Sequence, residues 1–201
     1  MAASYAAVLR VAGGAVAAAI VASSTAGAQV WTATLSGPAE VPTNTSPGTG
    51  QALLTLSGSN LTINVTFADL LSPTIASHIH CCTTLPFAGT AGVATAVPTF
   101  PGFPLGVTSG TYLNTFDLLV ASTYNPAFLT AAGGDVNVAM ARLIAGFNDG
   151  TTYLNIHTTQ FPGGEIRGFI VVAPEPASML LVGSGLAGIA AARRRRRTVL
   201  A

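Results

Sequence analysis

No lysine occurs anywhere in the chain, and only 7% of its 201 residues are charged. Six of the eight basic residues, Arg10 and Arg193 to Arg197, sit near the two ends. Residues 29–173 keep Arg142 and Arg167 against Glu40, Asp69, Asp117, Asp135, Asp149 and Glu165, a net charge of −4. Such a domain has no basic surface for nucleic acid or anionic lipid. Seven acidic residues in all leave few candidates for the paired carboxylates of a glycosidase, and Asp117, Asp135 and Asp149 read as turn and cap residues. No G-x-S-x-G elbow, Walker loop, H-E-x-x-H or dinucleotide fingerprint is present, and no repeat of solenoid period. The only two cysteines are adjacent, Cys81-Cys82, which excludes a framework of cross-chain disulfides within one copy. A vicinal disulfide, an intermolecular bridge, metal thiolates and a pair of buried free thiols all remain open.

The ends read as processing signals. Arg10, the apolar stretch Val11 to Ala22 and the small-x-small pattern Ala26-Gly27-Ala28 make residues 1–28 a signal peptide, cut between Ala28 and Gln29 by signal peptidase. At the other end, Pro174-Glu175-Pro176 precedes an apolar run, Ala177 to Ala192, and then Arg193 to Arg197. Glu175 blocks extension of the run toward Ile170, and five arginines hold their end on the cytoplasmic side. This three-part tail, 174–201, resembles the PEP-CTERM sorting signal of Gram-negative bacteria. The resemblance implies a transmembrane helix that tethers the protein briefly to the inner membrane. It also implies an exosortase that removes the tail, and a mature protein on the cell surface or outside the cell.

The 145 or so residues between, 29–173, suffice for one domain with its own core. Leu61, Ile63, Val65 and Phe67 alternate with Thr62, Asn64 and Thr66, the pattern of a strand with one wet face. Gly58-Ser59-Asn60 turns it back on a strand over 51–56. Further strands are predicted at 30–35, 75–80, 151–157 and 165–172, the last two joined through Phe161-Pro162-Gly163-Gly164. Asn125-Pro126 opens a short helix that Gly133 closes, and 138–147 fits either a short helix or a strand. Residues 82–111, rich in Gly and Pro, are predicted to be a long irregular loop and a candidate recognition surface. The expected fold is mostly β: an antiparallel, Greek-key-like β-sandwich with one or two short helices in its connections, with a closed barrel as the alternative.

Chemistry has few places to reside. His78 and His80 are i and i+2 on a predicted strand, so they share a face, and His157 lies on another strand. A His-x-His pair with a third imidazole suits copper or zinc, with a fourth position open. Cys81 or Cys82 would add a thiolate, Cys82 having the parity of the two histidines. The competing reading is three hydrogen-bonded structural histidines. Glu165 and Arg167, also i and i+2, form either a same-face ion pair pinning the hairpin or a seat for a carboxylate or sugar acid.

Four blocks, Leu35-Ser-Gly-Pro-Ala-Glu-Val-Pro42, His78-Ile-His80, Tyr153-Leu-Asn-Ile-His-Thr158 and Pro162-Gly-Gly-Glu-Ile-Arg-Gly168, resemble the CHRD domain, the module first named from chordin. They span 31 to about 172. The resemblance implies a β-sandwich-like extracellular module and no established activity. Cys81-Cys82 departs from it, since a glycine or other small residue is expected after His-x-His. The expected function is a non-enzymatic binding or structural component of the cell surface or exopolysaccharide matrix, in contact with polysaccharide or a surface protein. The alternative is a metal-binding protein, in its most concrete form an enzyme with a superoxide-dismutase-like copper site. A lipid pocket between sheets is a third reading that no residue specifically requests.

Overall fold

The computed structural model describes residues 28–173. The signal peptide up to Gly27, the Pro174-Glu175-Pro176 motif, the predicted membrane segment and the arginine cluster lie outside the described residues. No helix among the described residues is long and apolar enough to cross a membrane.

The strands are β1 (Gln29–Ser36), β2 (Thr49–Ser57), β3 (Asn60–Ala68), β4 (Thr74–Cys81), β5 (Gly110–Asp117), β6 (Thr152–Thr158), β7 (Ile166–Phe169) and β8 (Val171–Val172). They form one curled antiparallel sheet in the order β4-β6-β7-β1-β2-β3-β5, with β8 added to β1. The predicted alternation holds along β1 to β3. Trp31, Ala33, Leu35, Ala52, Leu54, Leu56, Leu61, Ile63, Val65 and Phe67 are all buried on the inner face. Each large apolar side chain buried there contributes about 1.5–3 kcal/mol before conformational entropy is subtracted.

Two helices complete the core. In α1 (Pro126–Ala131) Asn125 caps the first turn by accepting from the Ala127 N–H at 2.9 Å, with Pro126 as the first helical residue. The segment that sequence left between helix and strand is α2 (Val136–Asn148), capped by Asp135, which accepts from the Asn137 N–H at 2.8 Å. Its buried residues Ala139, Leu143 and Phe147 recur every four positions, so one stripe meets the sheet. Phe147 packs on Trp31 with ring centroids 5.1 Å apart, and the Trp31 indole N–H donates to Asn148 Oδ1 at 3.0 Å.

Two predicted features need correction. Strand β5 falls at the end of the expected loop and continues past it. Its apolar–polar alternation is poor, since Leu113 is exposed while the polar Asn114 lies on the half-buried side. The loop itself is no free surface. Gly92, Ala94, Phe100 and Gly106 exchange backbone hydrogen bonds of 2.9–3.1 Å with Cys81, Ile79, Ser77 and Thr74 along the outer edge of β4. Phe100 and Phe103 enter the core beneath Tyr112 of β5. The segment thus covers an edge that would otherwise invite pairing with another chain, and it bridges the two edge strands of the sheet.

The sheet is buried on both faces at β6. Leu154 and Ile156 face the core, while Tyr153, Asn155 and His157 face outward. The covering segments lie over this outward face, and there the polar side chains of the domain gather.

Candidate metal centre

Pairing register sets the site. His78 lies opposite Asn155 and His80 opposite Tyr153 across β4 and β6, while Asn155 lies opposite Arg167 and Tyr153 opposite Phe169 across β6 and β7. Cross-strand partners share a face. His78, His80, Tyr153, Asn155, His157 and Arg167 therefore form one outward cluster, and the covering segments bury most of it. His78 and His80 are buried and His157 is half-buried.

The ligand-capable nitrogens of His78, His80 and His157 lie within 4.8 Å of one another. His78 Nδ1 and His157 Nε2 are 3.3 Å apart. Metal–imidazole bonds of about 2.0–2.1 Å place ligand atoms roughly 3.3–3.6 Å from each other, so this pair already has ligand spacing.

The protonation pattern follows from the other nitrogen of each ring. His78 Nε2 lies 2.6 Å from the Pro98 carbonyl, His80 Nδ1 2.8 Å from that of Ala91, and His157 Nδ1 2.9 Å from that of Pro162. A carbonyl oxygen only accepts, so each of these nitrogens carries the hydrogen. The remaining nitrogens, His78 Nδ1, His80 Nε2 and His157 Nε2, are bare lone pairs directed at one another. His80 Nε2 is buried with no hydrogen-bond partner, and so is Asn155 Oδ1 beside it. Fixing a tautomer through the distal N–H is how metal-binding histidines are oriented.

Burial pushes all three imidazoles toward the neutral form. His78 is lowered to about 4 by burial and by its two neighbours, against the hydrogen bond to Pro98. His80 is lowered by burial and then by His157 and Arg167, and His157 by burial. Among the described residues no cysteine, aspartate or glutamate joins the three.

Arg167 and Glu40 flank the cluster. The Arg167 guanidinium lies over Tyr153, 4.7 Å from its ring centroid, and Tyr153 stacks on His80 at 4.7 Å. Arg167 Nε donates to the Ala39 carbonyl and Nη1 to that of Gly89 at 3.1 Å. Its ionic partner is Glu40, with Nε to Oε2 at 3.9 Å. Burial raises Glu40 to about 7, although Arg167 opposes the shift. Gly164, at φ 129°, closes over this carboxylate, where a Cβ would stand 2.8 Å from Glu40 Cδ.

The predicted Glu165–Arg167 pair is therefore replaced. Glu165 lies in the bend before β7 rather than on it, so the i, i+2 parity does not apply. Its fully buried carboxylate accepts from Ser46 Oγ, the Leu71 N–H and Thr158 Oγ1, each at 2.6 Å. The thiolate expectation also gives way, because Cys81 and Cys82 are bonded to each other. Both sulfurs lie at α2, where a Cβ on Gly146 would meet them at 3.0 and 3.1 Å. Cys81 belongs to the core on the opposite side of β4 from His80.

The sequence model of the CHRD domain matches residues 31–170. The chain belongs to the CHRD family. The PEP-CTERM protein-sorting motif matches residues 172–197, which marks the protein for export and exosortase processing and accords with a surface or extracellular location. A search of curated proteins finds no match.

The four sequence blocks that carry the CHRD resemblance meet at this one place in the fold. The first supplies Glu40 and the Ala39 carbonyl, the second His78 and His80. The third supplies Tyr153, Asn155 and His157, and the fourth the Pro162 carbonyl, Gly164, Glu165 and Arg167. Sequence reasoning passed over Asn155 and Glu40 as site residues. Asn155 was available from alternation, since Tyr153, Asn155 and His157 share one parity on a strand. Glu40 was not, because it lies on a covering segment whose position only the fold provides.

Proposed function

We propose that this CHRD protein is a non-enzymatic, metal-binding component of the cell surface, taking one copper or zinc ion at His78, His80 and His157. One observation carries the reading. Three imidazole nitrogens, each made a bare lone pair by a carbonyl on its partner nitrogen, converge on one point in a buried cluster. Three hydrogen-bonded structural histidines would pair those nitrogens with donors, whereas the side-chain neighbour of His80 is Asn155, whose buried Oδ1 is a second acceptor. The sorting motif supports the location, and contact with exopolysaccharide or a surface protein follows from location rather than from the site. A superoxide-dismutase-like activity gains no support from the ligand set, which offers a single three-histidine cluster among the described residues.

The test is elemental analysis of the full chain, exported and purified in detergent without a nickel column, beside the His78→Ala/His80→Ala variant. About one equivalent of copper or zinc in the wild type, absent from the variant, is the expected result. A metal-free wild type that takes up neither ion on titration, with its native circular dichroism intact, would leave the histidines structural and overturn the reading.

A further inference from the structure

The charge of the ligand set bears on which ion it accepts. All three donors are neutral imidazoles, and the groups holding their distal N–H bonds are backbone carbonyls of Pro98, Ala91 and Pro162, not carboxylates. The fourth buried lone pair beside them, Asn155 Oδ1, is neutral as well. Among the described residues the charged side chains at the cluster are Arg167, a cation stacked on the Tyr153 ring that also stacks on His80, and Glu40, which is paired with Arg167. No negative charge within the cluster is free to compensate a bound cation.

The desolvation cost of an ion grows as the square of its charge, so a monovalent ion enters such a pocket at about a quarter of the cost of a divalent one. Coordination number points the same way. Zinc takes four ligands in tetrahedral array, the fourth in open sites being water or substrate. Copper(I), which like zinc(II) is d10 but carries one charge fewer and accepts two or three ligands, is satisfied by three nitrogens in a plane. Resting on the reading of the triad as metal ligands, we infer that the site selects copper(I) over divalent zinc, and that a divalent ion needs an anion from solvent as a fourth ligand.

Anaerobic titration of the full chain against the copper(I)–bicinchoninate complex, and separately of zinc(II) against a chromophoric chelator at the same pH, compares the two ions. One copper(I) per chain with a Kd at least a hundredfold below that for zinc(II) is expected. The Asn155→Asp variant places a negative charge at the orphaned oxygen and should narrow the gap at least tenfold, through tighter zinc binding. Zinc bound as tightly as copper(I), or an Asn155→Asp variant whose ratio equals the wild type's, would overturn the selectivity and leave the metal site standing. Binding of neither ion would overturn both.

Discussion

Glu40 shows most sharply how single residues in this domain depend on their surroundings. Its carboxylate is buried at the Arg167 guanidinium, with Tyr153 below and the Val41 N–H at 3.4 Å, and one oxygen has no partner. Burial outweighs the arginine, so its folded-state value stands near 7 against 4.5 when exposed. The native state then holds the proton more tightly than the unfolded chain. The stability this contributes is complete below pH 4.5 and is lost as pH rises through 7. The three histidines act in the opposite sense: burial lowers each below its ordinary 6.5, so the stability present above that pH is lost as pH falls below it. Comparison with Glu40→Gln separates the two. The difference in denaturation midpoint between variant and wild type should move in the variant's favour between pH 4.5 and 7.5, and parallel curves would contradict the assignment. Glu165 is the contrasting case: its three hydrogen bonds use both carboxylate oxygens and join the 46, 71 and 158 positions, so it is a structural anchor.

At the scale of elements, the segment from Gly92 to Gly106 does the work of a ninth strand without being one. Its glycines and prolines hide that role from any pattern based on alternation, since the contacts that define it come from the far side of β4. Strand β5 was hidden for a related reason. Thr111, Leu113 and Thr115 face outward, and the exposed leucine breaks the polar half of the pattern. By contrast β1 to β4, β6 and the capped helix α1 were legible, because alternation and capping are local and tertiary context agrees with them. The strand expected across 165–172 is interrupted at Ile170, where pairing passes from β6 to β1. Phe100 anchors the covering segment and is 1% exposed. Phe100→Ala should cost about 3–5 kcal/mol, read as the loss in unfolding free energy in urea. A cost under 1 kcal/mol would mean the segment is not integral to the fold.

For the molecule as a whole, the fold and the sorting signal meet without a linker. Strand β8 pairs with the start of β1, Trp31 with Val172 and Thr32 with Val171, and the Ala173 N–H donates to the Val30 carbonyl at 2.9 Å. Gln29, the residue predicted to follow signal cleavage, opens β1, and Pro174 follows directly on the last paired residue. Tail removal anywhere beyond Ala173 would leave the sheet whole. A chain ended at Ile170 should be about 1–3 kcal/mol less stable than one ended at Ala173, judged by thermal unfolding, because β1 loses a partner and its backbone groups. Equal stability would contradict a structural role for β8. The two His-bearing strands were readable from sequence, as was the shared parity of His78 and His80. The carbonyls that set the tautomers, and the covering segments that exclude water, are products of the tertiary fold and leave no local signature.

The most direct test of the account is long-range proton–nitrogen correlation of the histidine rings in the metal-free protein. His78 should appear with its hydrogen on Nε2, and His80 and His157 with theirs on Nδ1. One equivalent of copper(I) or zinc(II) should then shift His78 Nδ1, His80 Nε2 and His157 Nε2 together. The opposite tautomer at any of the three, or metal-induced shifts at the nitrogens that donate to Pro98, Ala91 and Pro162, would contradict a centre built from three converging lone pairs.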